Sequence, residues 1–545
     1  MKKDSFLKGS LIASAAIILT KILGVLYVIP FYSIIGEQGG VLYAYAYNIY
    51  NLFLNISTAG IPIAISMIVS EYITLNLNEA KERVYKISKK LVLAISIFAF
   101  LILFFFAYYV AVFFVGGIDG STPKRDIDLA VKAIALALLV APIISVYRGY
   151  MQGHKYISPG SISQVIEQLI RIIVVLLGSY LAINVLGYSI TTGVIVALLG
   201  ALIGAIAALI YLKLKIYNNK EKFAVKEKNK KDNVSNNEIV KKIFYFCIPL
   251  IIISVTNDLY NITDMKLIIK GLYMIGYPAH NAELISSIIA TWAPKICMII
   301  MAISMGLATS LTPNIIEKYT KKDYKGSNKI FNQAINTMIC ASVPMTAGII
   351  IFKDEIYNIF YGGSVYGGNI LAISTIVSLI IGILTVANTS LQGFKKFKVV
   401  ILGTITGLVI NILLDIPLIL LFNKIGILPY FGTSVATIIG ALISLIIVMA
   451  YLKKVYNFKY NSILKSTSKV IFASFIMTVL IVCLNTIIDF KVVGRIALTI
   501  KVMIYGIIGT IVYATIMYYN NGLNEIFGKE VIDKILKKLH LKRSN

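Results

Sequence analysis

Fourteen apolar stretches of roughly 20 residues or more follow one another along this chain, and no other feature constrains its fold as strongly. Twenty residues at about 1.5 Å of rise reach roughly 30 Å, the thickness of a bilayer's hydrocarbon core. The stretches lie near 9–35, 42–70, 91–115, 129–147, 160–183, 189–212, 243–268, 284–315, 330–352, 368–391, 399–423, 431–452, 467–488 and 497–519. Of 545 residues, 58% are hydrophobic and only 14% charged, more apolar sequence than a soluble interior holds. The pattern predicts an all-α integral membrane protein of about 14 transmembrane helices. Lys2, Lys3 and Lys8 before an apolar run resemble a signal peptide, but the run continues past Lys21 to about Ile35. That is too long for a cleaved segment and reads as a retained first helix.

The net charge of +27 does not point to nucleic acid. The basic residues sit in short tracts between apolar spans and form no basic domain. Lys and Arg are concentrated at the N-terminus, at 71–90, 148–158, 213–242, 317–329, 392–398 and 453–466, and at the C-terminus. The intervening connections are short and poor in them, and several are acidic, as at Asp119, Asp126, Asp128, Asp354 and Glu355. By the positive-inside rule both ends are expected on the cytoplasmic side of a bacterial cytoplasmic membrane. Four cysteines (Cys247, Cys297, Cys340, Cys483) lie inside apolar spans without metal-ligand spacing, and only three histidines exist. No metal, no cofactor and no nucleophilic catalysis is expected, so the chain does not read as an enzyme.

The tract 213–242 carries ten Lys and is the only long polar linker. It suggests an N-lobe of six helices over 1–213, a basic cytoplasmic linker over 214–242 and a C-lobe of six helices over 243–453. Two further helices over 454–520 and a cytoplasmic tail over 521–545 follow. A faint repeat agrees: Gln152-Gly153 recurs as Gln392-Gly393 240 residues later, and Gly60 and Glu71 recur as Gly306 and Glu317 at an offset of 246. In the tail, Leu523, Ile526, Phe527, Ile532, Ile535, Leu536 and Leu539 fall at helical spacing among lysines. That fits an interfacial amphipathic helix or one packed on cytoplasmic loops.

Charges at membrane depth are costly and usually face a cavity or a partner. Lys21 and Lys295 lie well inside spans 1 and 8 and are read as cations facing a central cavity, one from each lobe. Glu167 and Arg171 on span 5 are spaced to pair, either as a packing ion pair or as part of that cavity. Asn257 and Asp258 on span 7 join the candidate substrate-binding set. Asp264 and Lys266 lie nearer a membrane face and are expected to be solvated. Asn411 and Asp415 on span 11 are open to a structural or a coupling role. Pro62, Pro142, Pro249, Pro294, Pro344 and Pro417 interrupt spans and predict kinks.

The stretch TKILGVLYVIPFYSIIGEQGGVLYAYAYNIYNLFLNISTAGIPIAISMIVSEY (20–72) resembles the opening of bacterial polysaccharide-biosynthesis transporters. The resemblance is to the stage V sporulation protein B and YtgP group, relatives of the MurJ-type lipid II flippases in the MOP exporter superfamily. The segment RGYMQGHKYISPGSISQVIEQLIR (148–171) is a second match. The resemblance implies a V-shaped pair of six-helix lobes around a cationic cavity, and a groove at helices 13 and 14 for a lipid tail. It also implies basic cavity residues on helices 1, 2 and 8. Lys21 matches the first and Lys295 falls close to the last, while helix 2 here has no such residue. A flippase for an undecaprenyl-diphosphate-linked sugar, foremost lipid II, is therefore expected, working by alternating access. Its partners would be a lipid-linked oligosaccharide and membrane lipid, and it would act as a monomer. The sequence shows no Walker motif, which leaves an ion gradient, the membrane potential or downstream consumption as the energy source. A cation-coupled drug or metabolite antiporter is the alternative, but it would favour a carboxylate on helix 1 where this chain has Lys21. A membrane glycosyltransferase would need a large external loop or an acidic metal motif.

Overall fold

The computed structural model describes residue 16 and residues 19–118, 120–219, 234–488, 494–530 and 532–533. Thirteen helical stretches among them are long and apolar enough to cross a membrane. In hydrocarbon a helix satisfies its own backbone donors and acceptors, which is why apolar runs of this length take that form. The first expected span lies partly outside the described residues. Its second half is helical over 19–26 and runs on into the next helix as far as Gly36, whose φ of 65° breaks the rod. About fourteen spans is thus the architecture, as expected.

By packing, the chain divides into residues 1–291 and 292–545. The first unit holds α1 (Val28–Thr58), α2 (Ile61–Thr74), α3 (Asn78–Phe105), α4 (Ala107–Val115), α5 (Lys124–Ala135) and α6 (Ala141–Gly153). It continues with α7 (Ile157–Ile173), α8 (Ile190–Tyr217), α9 (Asn236–Met274) and α10 (Ala279–Ser287). The division falls later in the chain than the basic linker, because α9 packs on α1, α2 and α3. Its Ile239, Ile243 and Cys247 enter a buried core with Ile65 and Ile68 of α2 and Met151 of α6.

The second unit holds α11 (Ala293–Thr320), α12 (Tyr324–Ile351), α13 (Lys353–Tyr361), α14 (Gly367–Gly393) and α15 (Phe397–Lys424). It ends with α16 (Phe431–Tyr456), α17 (Asn461–Ile487), α18 (Arg495–Tyr519) and α19 (Gly522–Phe527). Helix α15 packs along α16, and α14 along both α11 and α12.

The internal repeat is written in the connections. Gly36 and Gly276, Asn76 and Lys322, Gly117 and Gly362, Lys155 and Lys395, and Gly187 and Gly426 all have positive φ, and the pairs are separated by 240, 246, 245, 240 and 239 residues. Five left-handed turn positions therefore recur in the same order. The Gln-Gly motif has a packing cause. A Cβ on Gly153 would stand 2.8 Å from Val69 Cβ, and one on Gly393 would stand 2.8 Å from Ile315 Cγ2. Val69 and Ile315 are themselves 246 residues apart, so the same helix crossing is built twice.

The prolines divide into two groups. Pro62, Pro142 and Pro294 open helices at their first turn, where no donor is missed. Pro249, Pro344 and Pro417 lie inside continuous helices. Large apolar side chains such as Phe98, Phe105, Leu413 and Ile507 point outward, as lipid contact requires. Within the tail, α19 packs on α12 and α17, with Ile526 and Ile532 buried. The tail residues Lys534, Ile535, Leu536 and Leu539 lie outside the described residues, as do 220–233 of the basic linker.

Candidate functional site

In the first unit, Glu167 and Arg171 stand one turn apart on α7 and pair as their spacing predicts, Arg171 Nη2 lying 2.8 Å from Glu167 Oε1. A third charge joins them from α6. Arg148 Nη2 donates to Glu167 Oε2 at 2.9 Å, and its Nε donates to Ser163 Oγ at 2.9 Å. One carboxylate thus serves two guanidiniums, leaving a net charge of +1. Removing the carboxylate from such a half-buried pair costs about 3–5 kcal/mol when the remaining charge cannot reach water. Helix α8 reaches α7 closely here, because a Cβ on Gly204 would stand 2.6 Å from Glu167 O. Beyond Arg171 the helix widens into π turns at Val174–Gly178 and Leu181–Val185, a local form common at functional sites. Arg148 and Glu167 also line a cavity of about 370 Å³, together with Gln152 and Gln164.

Lys21 is half-buried on the helical stretch 19–26. One turn later, Gly24 approaches α7, a Cβ there lying 3.6 Å from Gln168 Nε2. Asp258 on α9 accepts a 2.7 Å hydrogen bond from Asn55 Nδ2 of α1, while the neighbouring Asn257 is exposed. Asp264 corrects the sequence reading. It is 7% exposed rather than solvated, because the inner face of α9 turns it into the unit. Lys266 is half-buried, its Nζ 3.7 Å from the centre of the Phe113 ring.

In the second unit, the half-buried Lys295 holds its Nζ 4.5 Å from the centre of the Trp292 ring, a cation–π contact worth about 1 kcal/mol. Trp292 is fully buried and ends a π turn, Ile288–Trp292. The Tyr361 hydroxyl donates to Trp292 O at 2.7 Å and satisfies a carbonyl there. Asn411 and Asp415 are fully buried on α15. Asn411 Nδ2 reaches Asp415 Oδ1 at 3.4 Å and Thr437 Oγ1 of α16 at 3.2 Å. These contacts tie α15 to α16. Arg148, Ser163, Asn55 and Trp292 escaped the sequence reading. The signals that mark three of them are the distinctive 148–171 segment, which holds Arg148 and Ser163, and the position of the chain's single Trp three residues before Lys295.

Comparison with known proteins places the chain in a family. The family described as polysaccharide biosynthesis protein matches residues 6–276, and the MatE family matches 289–417. The lipid II flippase MurJ of Bacillus subtilis is 30% identical over 540 residues, covering 97% of this chain and 98% of the relative. Stage V sporulation protein B of the same organism is 26% identical over 379 residues, covering 67% of this chain and 68% of that one. Among solved structures, a lipid II flippase MurJ in an inward closed conformation aligns with a TM-score of 0.65 at 17% identity, covering 94% of this chain and 99% of that chain. An inward-facing multidrug resistance MATE transporter aligns at 0.64 and 13% identity, covering 80% and 94%.

Proposed function

The chain belongs to the family of the lipid II flippase MurJ within the MOP superfamily, and we propose on that premise that it is a flippase for an undecaprenyl-diphosphate-linked sugar. The substrate assigned is the peptidoglycan precursor lipid II, carried from the cytoplasmic to the outer leaflet of the cytoplasmic membrane. The observation that carries this is likeness to MurJ along almost the whole chain. The work is transport rather than catalysis.

The physical need is plain. A diphosphate and its sugars cannot cross hydrocarbon unaided, because each desolvated charge costs several kcal/mol or more. The polyprenyl tail can stay in lipid throughout. Lys21 and Lys295 are the cations assigned to the diphosphate. Lys295, half-buried against the Trp292 ring, gains more from an anionic ligand there than a fully solvated lysine would. Glu167 supplies a polar group to the cavity of the first unit, with Arg171 paired to it from behind, and Asp258, bonded to Asn55, is assigned to the same binding set. Asn411 and Asp415 are assigned to holding α15 on α16. Alternating exposure of the headgroup site to the two sides follows the mode of repeat-built transporters, with both chain ends cytoplasmic. The antiporter reading is less well supported, since Lys21 stands where that chemistry favours a carboxylate.

Complementation tests the assignment. In a bacterium depleted of its own lipid II flippase, this chain restores growth, whereas Lys21→Ala and Lys295→Ala, expressed to the same level in the membrane, do not. Absence of rescue by the unaltered chain would refute the lipid II assignment. Full rescue by both variants would remove the role given to the two cations.

A further inference from the structure

We propose that Arg148 is an anion-binding group that grips the headgroup of the lipid-linked substrate, an inference that rests on the flippase reading. The observation behind it is the way the side chain is held. Its Nε is fixed on the fully buried Ser163 and its Nη2 on Glu167, while Nη1 has no protein partner among the described residues. Arg171, which does not line the cavity, holds the other oxygen of Glu167 from behind. Glu167 is therefore already neutralised, and the charge of Arg148 is left for something else.

That charge faces a cavity of about 370 Å³, within the roughly 300–1,000 Å³ typical of sites for small ligands. Ser145, Gln152, Ser161 and Gln164 add hydroxyls and amides to its wall. A pre-oriented guanidinium beside neutral hydrogen-bonding groups suits an oxyanion attached to a polyhydroxylated group. Two oxyanions of such a substrate have this chemistry: the diphosphate itself, or a carboxylate on the sugar or its peptide. A pair that served only to pack α6 on α7 would need neither the third charge nor the open volume. Arg171 is on this account a positioning residue. It holds Glu167, which aims Arg148.

The test uses the purified full-length chain, with two water-soluble, short-prenyl diphosphate glycans as probes in titration calorimetry. One carries a neutral disaccharide, the other a disaccharide with a carboxylate-bearing peptide. Arg148→Gln is expected to weaken binding about tenfold with the melting temperature unchanged, and Arg148→Lys about threefold, since a point charge lacks the fork. Weakening for both probes identifies the diphosphate as the partner of Arg148, and weakening for the second alone identifies the carboxylate. Wild-type affinity of Arg148→Gln for both probes, with only a lowered melting temperature, overturns the inference and leaves the flippase reading standing. If the unaltered chain binds neither probe and moves no lipid II in proteoliposomes, both fall together.

Discussion

Single residues carry the chemistry here, and they were legible to very different degrees. Lys21 and Lys295 stand out in the sequence because a charge inside a long apolar run needs an explanation. The Glu167–Arg171 pair followed from helical spacing alone. Arg148 did not, because it sits at the end of a span and reads as one more positive charge of a basic connection. Its partner is 19 residues away across the turn between α6 and α7, a juxtaposition that only folding creates. The Trp292 ring under Lys295 depends likewise on a π turn that no periodicity reveals. Asp264 was misread because nearness to a span end says nothing about which face of α9 looks inward. A cation over an aromatic face keeps most of its attraction when Lys becomes Arg and none when it becomes Gln. Lys295→Arg should therefore retain at least about a third of the wild-type translocation rate, and Lys295→Gln should fall at least about tenfold. Equal rates for the two would show that charge at this position is unimportant.

At the scale of elements, the spans were readable almost to their ends, since length and hydropathy fix them. The repeat was visible only as a pair of short matches. The structure shows why so little sequence survives: what recurs is turn geometry and one glycine-sized crossing, and these constrain few side chains. Gly204 is such a crossing beside the site. Gly204→Ala would push a methyl group against Glu167 O and is expected to cost about 1–3 kcal/mol, read as a fall in melting temperature in detergent. Gly506 on α18 has open space around it, so Gly506→Ala should be neutral or stabilising by about 0.5–1 kcal/mol through helix propensity. Reversal of that order would contradict the packing described.

The described part of the tail is an element held by charge. Glu525 receives 2.9 Å contacts from Lys465 and Lys469 of α17, and these hydrogen-bonded lysines hold its carboxyl below the usual carboxylate range. A depressed carboxyl contributes stability above its unfolded pKa and loses it as pH falls through its folded value. The anchoring should thus be full at neutral pH and fade below the usual carboxylate range. The loss should be less than about 1 kcal/mol, because the pair is largely solvated. Limited proteolysis of residues 521–530 should speed up in acid, and Glu525→Gln should reproduce that rate at neutral pH. A cleavage rate indifferent to both would show that apolar contacts alone hold α19.

For the whole molecule, the account joins a family, two runs of helices that repeat one another's turns, and cations placed within apolar helices. Each follows from the same constraint. A chain that must live in hydrocarbon spends helices on nearly all its backbone, so a charge kept inside it must have a ligand or a partner. Trp292 is one partner of Lys295, and an anionic headgroup is the ligand proposed for it. Translocation itself is the most direct measurement of that claim. The full-length chain would be reconstituted into proteoliposomes carrying fluorescent lipid II, and the labelled headgroup that has reached the opposite leaflet followed by its accessibility to a quencher. The account predicts movement that depends on the protein and falls at least about tenfold in the Lys21→Ala, Lys295→Ala double variant. No movement with the unaltered chain, or equal movement with the double variant, would contradict it.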